Sequence, residues 1–251
     1  MIRLVADVHG AVGALSRVAG RGGRLIVLGD LINFIDYRTN EGIVSEVSGT
    51  ELVDAVVALR TAGDFDGASA LWREHAVGRE SELRRRYDEL VDEAYREICA
   101  ALDGCEAYVT YGNVDRPDLL RERLPSSAQF VDGECVEIDG IVFGFAGGGT
   151  VALGTPGEVG DDEMAAKLTS LGPVDVLCTH VPPALAPLAD DVIGGRQKGS
   201  GPVLDYLHEH QPQMHYFGDI HQPQATTWRV GATTCCNVGY FRATGRAVTH
   251  G

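Results

Sequence analysis

The sequence predicts an α/β fold, on three observations. Apolar runs of four or five residues alternate with segments of helical periodicity. Several of those runs are continuously apolar, as strands buried on both faces are. Each then stops in a short polar loop. The first run, Ile2-Arg3-Leu4-Val5-Ala6, stops at Asp7-Val8-His9-Gly10. A short helix over roughly 11–19 follows, and Leu25-Ile26-Val27-Leu28 then ends at Gly29-Asp30.

From about 41 to 103 the periodicity turns helical. Thr50 is expected to cap a helix with Leu52, Val56 and Leu59 on one face. A second helix should begin after Asp64 and carry Ala68, Leu71 and Trp72. A third, over about 79–102, places Leu83, Tyr87, Leu90, Ala94 and Ile98 at helical spacing and stops at Gly104. A parallel crossover needs only about a dozen residues, so part of 41–103 reads as an inserted helical cap. No repeat or linker divides the chain, and one domain over 1–251 is expected.

Beyond the insertion, Ala107-Tyr108-Val109-Thr110-Tyr111 runs into Gly112-Asn113-Val114-Asp115. A hairpin turns at Asp139-Gly140, between Cys135-Val136-Glu137-Ile138 and Ile141-Val142-Phe143-Gly144-Phe145. Val174-Asp175-Val176-Leu177-Cys178 ends at Thr179-His180, and Met214-His215-Tyr216-Phe217 at Gly218-Asp219-Ile220-His221. Helices are expected near 160–171 and 201–210, and short strands from about 225 to 249.

The 251 residues are 44% hydrophobic and 23% charged, ordinary for a globular protein. No apolar run approaches the roughly 20 residues needed to cross a bilayer. The start, MIRLVADVHG, is unlike a signal peptide. The six cysteines (Cys99, Cys105, Cys135, Cys178, Cys235 and Cys236) lack CxxC spacing and read as reduced thiols, so a cytoplasmic location is expected. Net charge is −15, from 21 basic and 36 acidic side chains, and such a field opposes nucleic-acid binding.

Five apolar runs end at once in residues able to ligate a metal: Asp7 with His9, Asp30, Asn113, His180, and Asp219 with His221. Loops at the carboxyl ends of strands converge over one crevice in α/β sheets. Oxygen and imidazole donors together suit Mn²⁺, Fe²⁺ or Zn²⁺ better than Mg²⁺ or Ca²⁺. Any one of these fragments recurs by chance; all five in order are hard to obtain by accident.

The series Asp7-Val8-His9, Gly29-Asp30, Gly112-Asn113-Val114-Asp115, His180 and Gly218-Asp219-Ile220-His221 resembles that of the calcineurin-like metallophosphoesterases. Asn237-Val238-Gly239-Tyr240 resembles the turn after their last motif. The resemblance implies a four-layer αββα sandwich of two mixed β-sheets, and two metal ions bridged by a carboxylate and a solvent hydroxide that attacks phosphorus in line. It further implies Asp7, His9 and His221 on one ion, Asp30 between the two, Asn113 and His180 on the other, and Asp115 orienting His9. Asp30, Asn113, Asp115 and His180 would carry catalysis.

Two positions depart from the family pattern. Asp219 stands where a histidine is usual; as a harder ligand it is expected to favour Mn²⁺ or Fe²⁺. Val114 stands where many members have a histidine that assists the leaving group. General-acid help is worth ~10²–10⁴-fold, so activated aryl phosphodiesters should be cleaved better than alkyl monoesters. Asn33, Arg116, Arg196 and Lys198 are candidates to bind substrate, each equally readable as a turn residue or solvated charge. Arg84-Arg85-Arg86 reads as a solvated helix face.

The expected function is a phosphodiesterase acting on a small nucleotide-like or activated ester. The alternatives are a phosphomonoesterase or nucleotide pyrophosphatase on the same site, or a catalytically weak scaffold that binds protein. Expected partners are the small substrate and, through the helices at about 41–103, a second copy of the chain; those helices read equally as a lid.

Overall fold

The computed structural model describes residues 1–36, 39–152, 154–192 and 198–251. They fall into two compact units, one of Met1–Leu31 with Glu97–Gly251 and the other of Ile32–Arg96. The sequence reading set the helical insertion at about 41–103; the second unit starts and ends earlier.

The first unit opens with β1 (Ile2–Val5), α1 (Val12–Ala19) and β2 (Arg24–Leu28). All four residues of β1 are buried, and α1 turns Leu15, Val18 and Ala19 inward at helical spacing.

The second unit holds α2 (Ile43–Ser48), α3 (Thr50–Thr61), α4 (Phe65–Ala76) and the first turns of α5 (Glu80–Leu102). The expectation that Thr50 caps a helix fails: Thr50 is already helical, and Gly49 takes the cap position at φ 90° without a side-chain bond. A single residue links α2 to α3, and the positive φ it needs comes without strain only to glycine. Asp64 caps α4, its Oδ1 accepting from the Gly67 N–H at 2.8 Å. On α5, Arg85 and Arg86 approach Glu89 at 2.8 and 3.6 Å, so the basic run lies on an exposed helix face and two of its three arginines are ion-paired.

The first unit resumes with β3 (Ala107–Thr110), α6 (Pro117–Arg123), β4 (Ala128–Phe130), β5 (Glu134–Ile138) and β6 (Ile141–Ala146). Then come β7 (Gly149–Thr150), β8 (Glu158–Val159), α7 (Asp161–Leu171), β9 (Val176–Thr179), α8 (Ala186–Ala189) and α9 (Gly201–His210). The chain ends with β10 (Met214–Phe217), β11 (Thr227–Val230), β12 (Thr233–Asn237), α10 (Phe241–Thr244) and β13 (Val248–His250). The β5–β6 hairpin turns through Asp139 and Gly140, both at positive φ, with Ile138 opposite Ile141.

Two mixed sheets form, ordered β13-β1-β2-β3-β4 and β11-β12-β10-β9-β6-β5. Neighbours are parallel in the first except β13 against β1, and in the second except at its two edges. Strand alternation sorts the apolar residues into two cores. Leu4, Ile26 and Leu28 meet Phe143, Phe145, Val176, Cys178 and Tyr216 between the sheets. On the far face of the second sheet, Leu177, Phe217 and Cys235 meet Met164 and Leu168 of α7 and Val203 and Leu207 of α9. This is a layered α/β sandwich of two mixed sheets. All six cysteines are unpaired. Among the described residues, no helix is long and apolar enough to cross a membrane.

Candidate metal centre

The parallel strands β1, β2, β3, β9 and β10 all end toward one rim, and backbone hydrogen bonds join the loops there. The Asp7 N–H donates to Gly29 O at 3.1 Å, His9 N–H to Asp30 O at 2.9 Å, and Gly218 N–H to His180 O at 2.9 Å. The Asp219 N–H donates to both oxygens of Asp7, at 3.2 and 3.1 Å, tying the first sheet to the second. Asp7, His9, Asp30 and Asp219 have φ of 55°, 41°, 51° and 64°. Left-handed backbone is uncommon outside glycine and costs on the order of 1 kcal/mol per residue. It survives here because these hydrogen bonds hold each loop, and it brings the side chains of Asp7, His9 and Asp30 together.

The result is a concentration of donors. Ligand atoms of Asp7, His9 and His221 lie within 4.8 Å of one another, as do those of Asp7, Asp30 and His180. His9 Nε2 is 3.3 Å from His221 Nε2 and 3.6 Å from Asp30 Oδ2, and His180 Nε2 is 3.5 Å from Asp30 Oδ1. His180 is fully buried; its Nδ1 is 2.8 Å from Leu28 O, which accepts from Nδ1–H. That bond leaves Nε2 facing the carboxylates, and Nε2 has no hydrogen-bond partner among the described residues. A buried imidazole nitrogen left so, beside converging carboxylates, fits a cation between them.

Electrostatics agree with that picture. Burial opposes the charged form of Asp7, yet contact with His221 and the charges of His180 and His9 outweigh it and bring the carboxyl to about 2. Burial also opposes protonation of His180, but Asp30, Asp219 and Asp7 outweigh it and raise the imidazole to about 9. His221 is raised too, its contact with Asp7 overcoming burial. Such a cluster of carboxylates asks for positive charge.

The other expected residues take different places. Asp115 is fully buried and accepts from the Leu31 and Gly112 N–H groups at 3.0 and 2.9 Å, bracing the loops after β2 and β3. Burial and the charge of Asp30, against those bonds, raise it to about 7. Asn113 is half-buried, and its backbone carbonyl accepts from Thr155 Oγ1 at 2.5 Å. Val114 turns its side chain into the protein and donates its N–H to Asp30 Oδ1 at 3.1 Å. Gly112 lies so close to Asp30 and His180 that a Cβ there would collide with both.

Asp219 belongs to neither group of converging donors; its Oδ1 is 3.1 Å from Lys198 Nζ. The charge of Asp219 raises the Lys198 pKa despite burial. Arg116 sits half-buried at the N-cap of α6, whereas Asn33 lies in the other compact unit. Arg196 lies outside the described residues.

Sequence reasoning assigned Tyr240 no role, yet its ring stacks on His221 with centroids 3.9 Å apart and planes at 10°, and meets His9 edge-on at 5.8 Å. Its turn is held by Asn237, whose Nδ2 donates to Ile220 O at 2.9 Å and whose Oδ1 accepts from the Gly239 N–H at 2.8 Å. The available signal was its place in the Asn-Val-Gly-Tyr turn.

No family model matches the chain, and no curated protein does. Among solved structures, TT1561 of Thermus thermophilus is similar at TM-score 0.54 and 12% identity, over 99% of this chain and 97% of that one. Another crystal structure is similar at TM-score 0.58 and 15% identity, over 96% of this chain and 90% of the other. At such identity the likeness shows a shared α/β two-sheet fold and nothing of its chemistry.

Proposed function

We propose that the protein is a metal-dependent phosphoesterase of the calcineurin-like type, cleaving a small nucleotide-like or activated phosphodiester. The observation that carries this reading is the convergence of Asp7, His9 and His221, and of Asp7, Asp30 and His180, the second group including a buried imidazole nitrogen with no hydrogen-bond partner among the described residues. Asp7, His9 and His221 would hold one divalent ion; Asp30 and His180, with Asn113, would hold a second, and these oxygen and imidazole donors suit Mn²⁺, Fe²⁺ or Zn²⁺. Cations there supply Lewis acidity toward a phosphoryl oxygen and lower the pKa of water. The chain's own part is to fix the donors. Leu28 O selects the His180 tautomer, the Val114 N–H steadies Asp30, and Tyr240 holds the His221 ring.

No histidine follows Asn113, and Val114 offers no proton to a leaving group. A higher kcat/KM for an aryl phosphodiester than for an alkyl phosphomonoester is therefore expected; the reverse order would refute the diester assignment. The direct test is hydrolysis of bis-p-nitrophenyl phosphate by metal-stripped protein with Mn²⁺ added back, beside metal content by mass spectrometry. Mn²⁺-dependent turnover that falls at least ~10²-fold in Asp30→Ala is expected. Absence of both metal and turnover under any divalent ion would sink the proposal.

A further inference from the structure

The side chain of Asp219 is only 3% exposed, so its carboxylate requires a partner. That partner is Lys198, which reaches in from the segment leading to α9. Two independent facts set this carboxylate apart from those of Asp7 and Asp30. Its oxygens lie outside both groups of converging donors, and one of them faces an ammonium at 3.1 Å. The Asp219 N–H also donates to Asp7, so the backbone carrying Asp219 is held against the site while its carboxylate meets the lysine. An ion drawn to Asp219 Oδ1 would have to displace the ammonium or stand beside it, like charge against like.

We propose that the Lys198–Asp219 ion pair stands in place of a metal ligand. Asp219 anchors Lys198, the ammonium disfavours an ion beside Asp30 and His180, and the site holds one divalent ion tightly and a second weakly. Lys198 then supplies some of the fixed positive charge toward a phosphoryl oxygen that a tightly held second ion would bring. This rests on the metal-dependent reading above and narrows it.

The test is isothermal titration of metal-stripped wild type, Lys198→Met and Lys198→Arg with Mn²⁺, with thermal melts showing that each is folded. Wild type should bind one equivalent tightly and a second at least roughly tenfold more weakly. Lys198→Met, which keeps the stem and removes the charge, should tighten the second equivalent about tenfold or more. Lys198→Arg, which keeps the charge, should bind as wild type does; a merely structural lysine would not sort the variants by charge. Two equivalents of equal affinity in wild type, or no tightening in Lys198→Met, would overturn the proposal. No binding in any of the three proteins would overturn the metal-dependent reading itself, a result distinct from either.

Discussion

His215 is fully buried on β10, its Nε2 2.8 Å from Thr179 Oγ1 and its Nδ1 without a hydrogen-bond partner among the described residues. The Thr179 hydroxyl donates to Val181 O at 2.6 Å, so His215 is the donor to Thr179 and its neutral form is the one accommodated. Burial pushes the imidazole from 6.5 down to about 3. Because the folded value is depressed, this contribution to stability is present above pH ~6.5 and is lost as pH falls toward 3, where only the unfolded chain takes up the proton. Between pH 7 and 5 wild type should therefore lose about 2 kcal/mol from this group. Urea unfolding of His215→Leu at both values should show a correspondingly smaller loss; equal losses in the two proteins would refute it. The same scale shows what was readable in the candidate site. Asp7, His9, Asp30, His180 and His221 stand out because each follows an apolar run directly. The left-handed backbone at Asp7, His9, Asp30 and Asp219 was not readable, since aspartate and histidine adopt it only where hydrogen bonds from other loops hold them. Tyr240 was missed because an aromatic residue near a chain end looks like any core residue until its ring is seen against His221.

Among elements, helix α4 offers the clearest test of local coding. Asp64 accepts from the Gly67 N–H at 2.8 Å, so Asp64→Ala should cost about 1 kcal/mol in urea unfolding, and Asp64→Asn much less. Equal costs for the two would argue against a capping role. Long periodic segments such as α5, and the Asp139-Gly140 hairpin, were readable because their signals are local. Short elements were not: α6, of seven residues, carries too little periodicity to register, and α2, of six, was not told apart within the helical span. Nor could the tail announce that β13 crosses to the first sheet and pairs antiparallel with β1 while β11 and β12 extend the second. Those pairings depend on which edges are free, a property of the assembled sheets.

For the whole molecule, the excess of acidic groups sets a long-range field. At 150 mM salt, duplex DNA should show no retention by about 10 µM protein in a gel-shift assay. Retention that weakens steeply with added salt would reveal a basic surface that the net charge of −15 conceals. The same composition, with its alternation of apolar runs and helical segments, was enough to read an α/β fold and an ordered series of metal-competent residues. Both follow from short-range pattern, because burial and periodicity are written residue by residue along the chain. Which donors share a point was settled only by the packed sheets. The sheet of β1 and β2 must pack against the sheet of β9 and β10 before Asp7 can meet His221, more than two hundred residues away, at 3.6 Å. The partner of Asp219 was settled in the same way: nothing local links it to Lys198, and only packing brings that buried carboxylate and an ammonium to 3.1 Å.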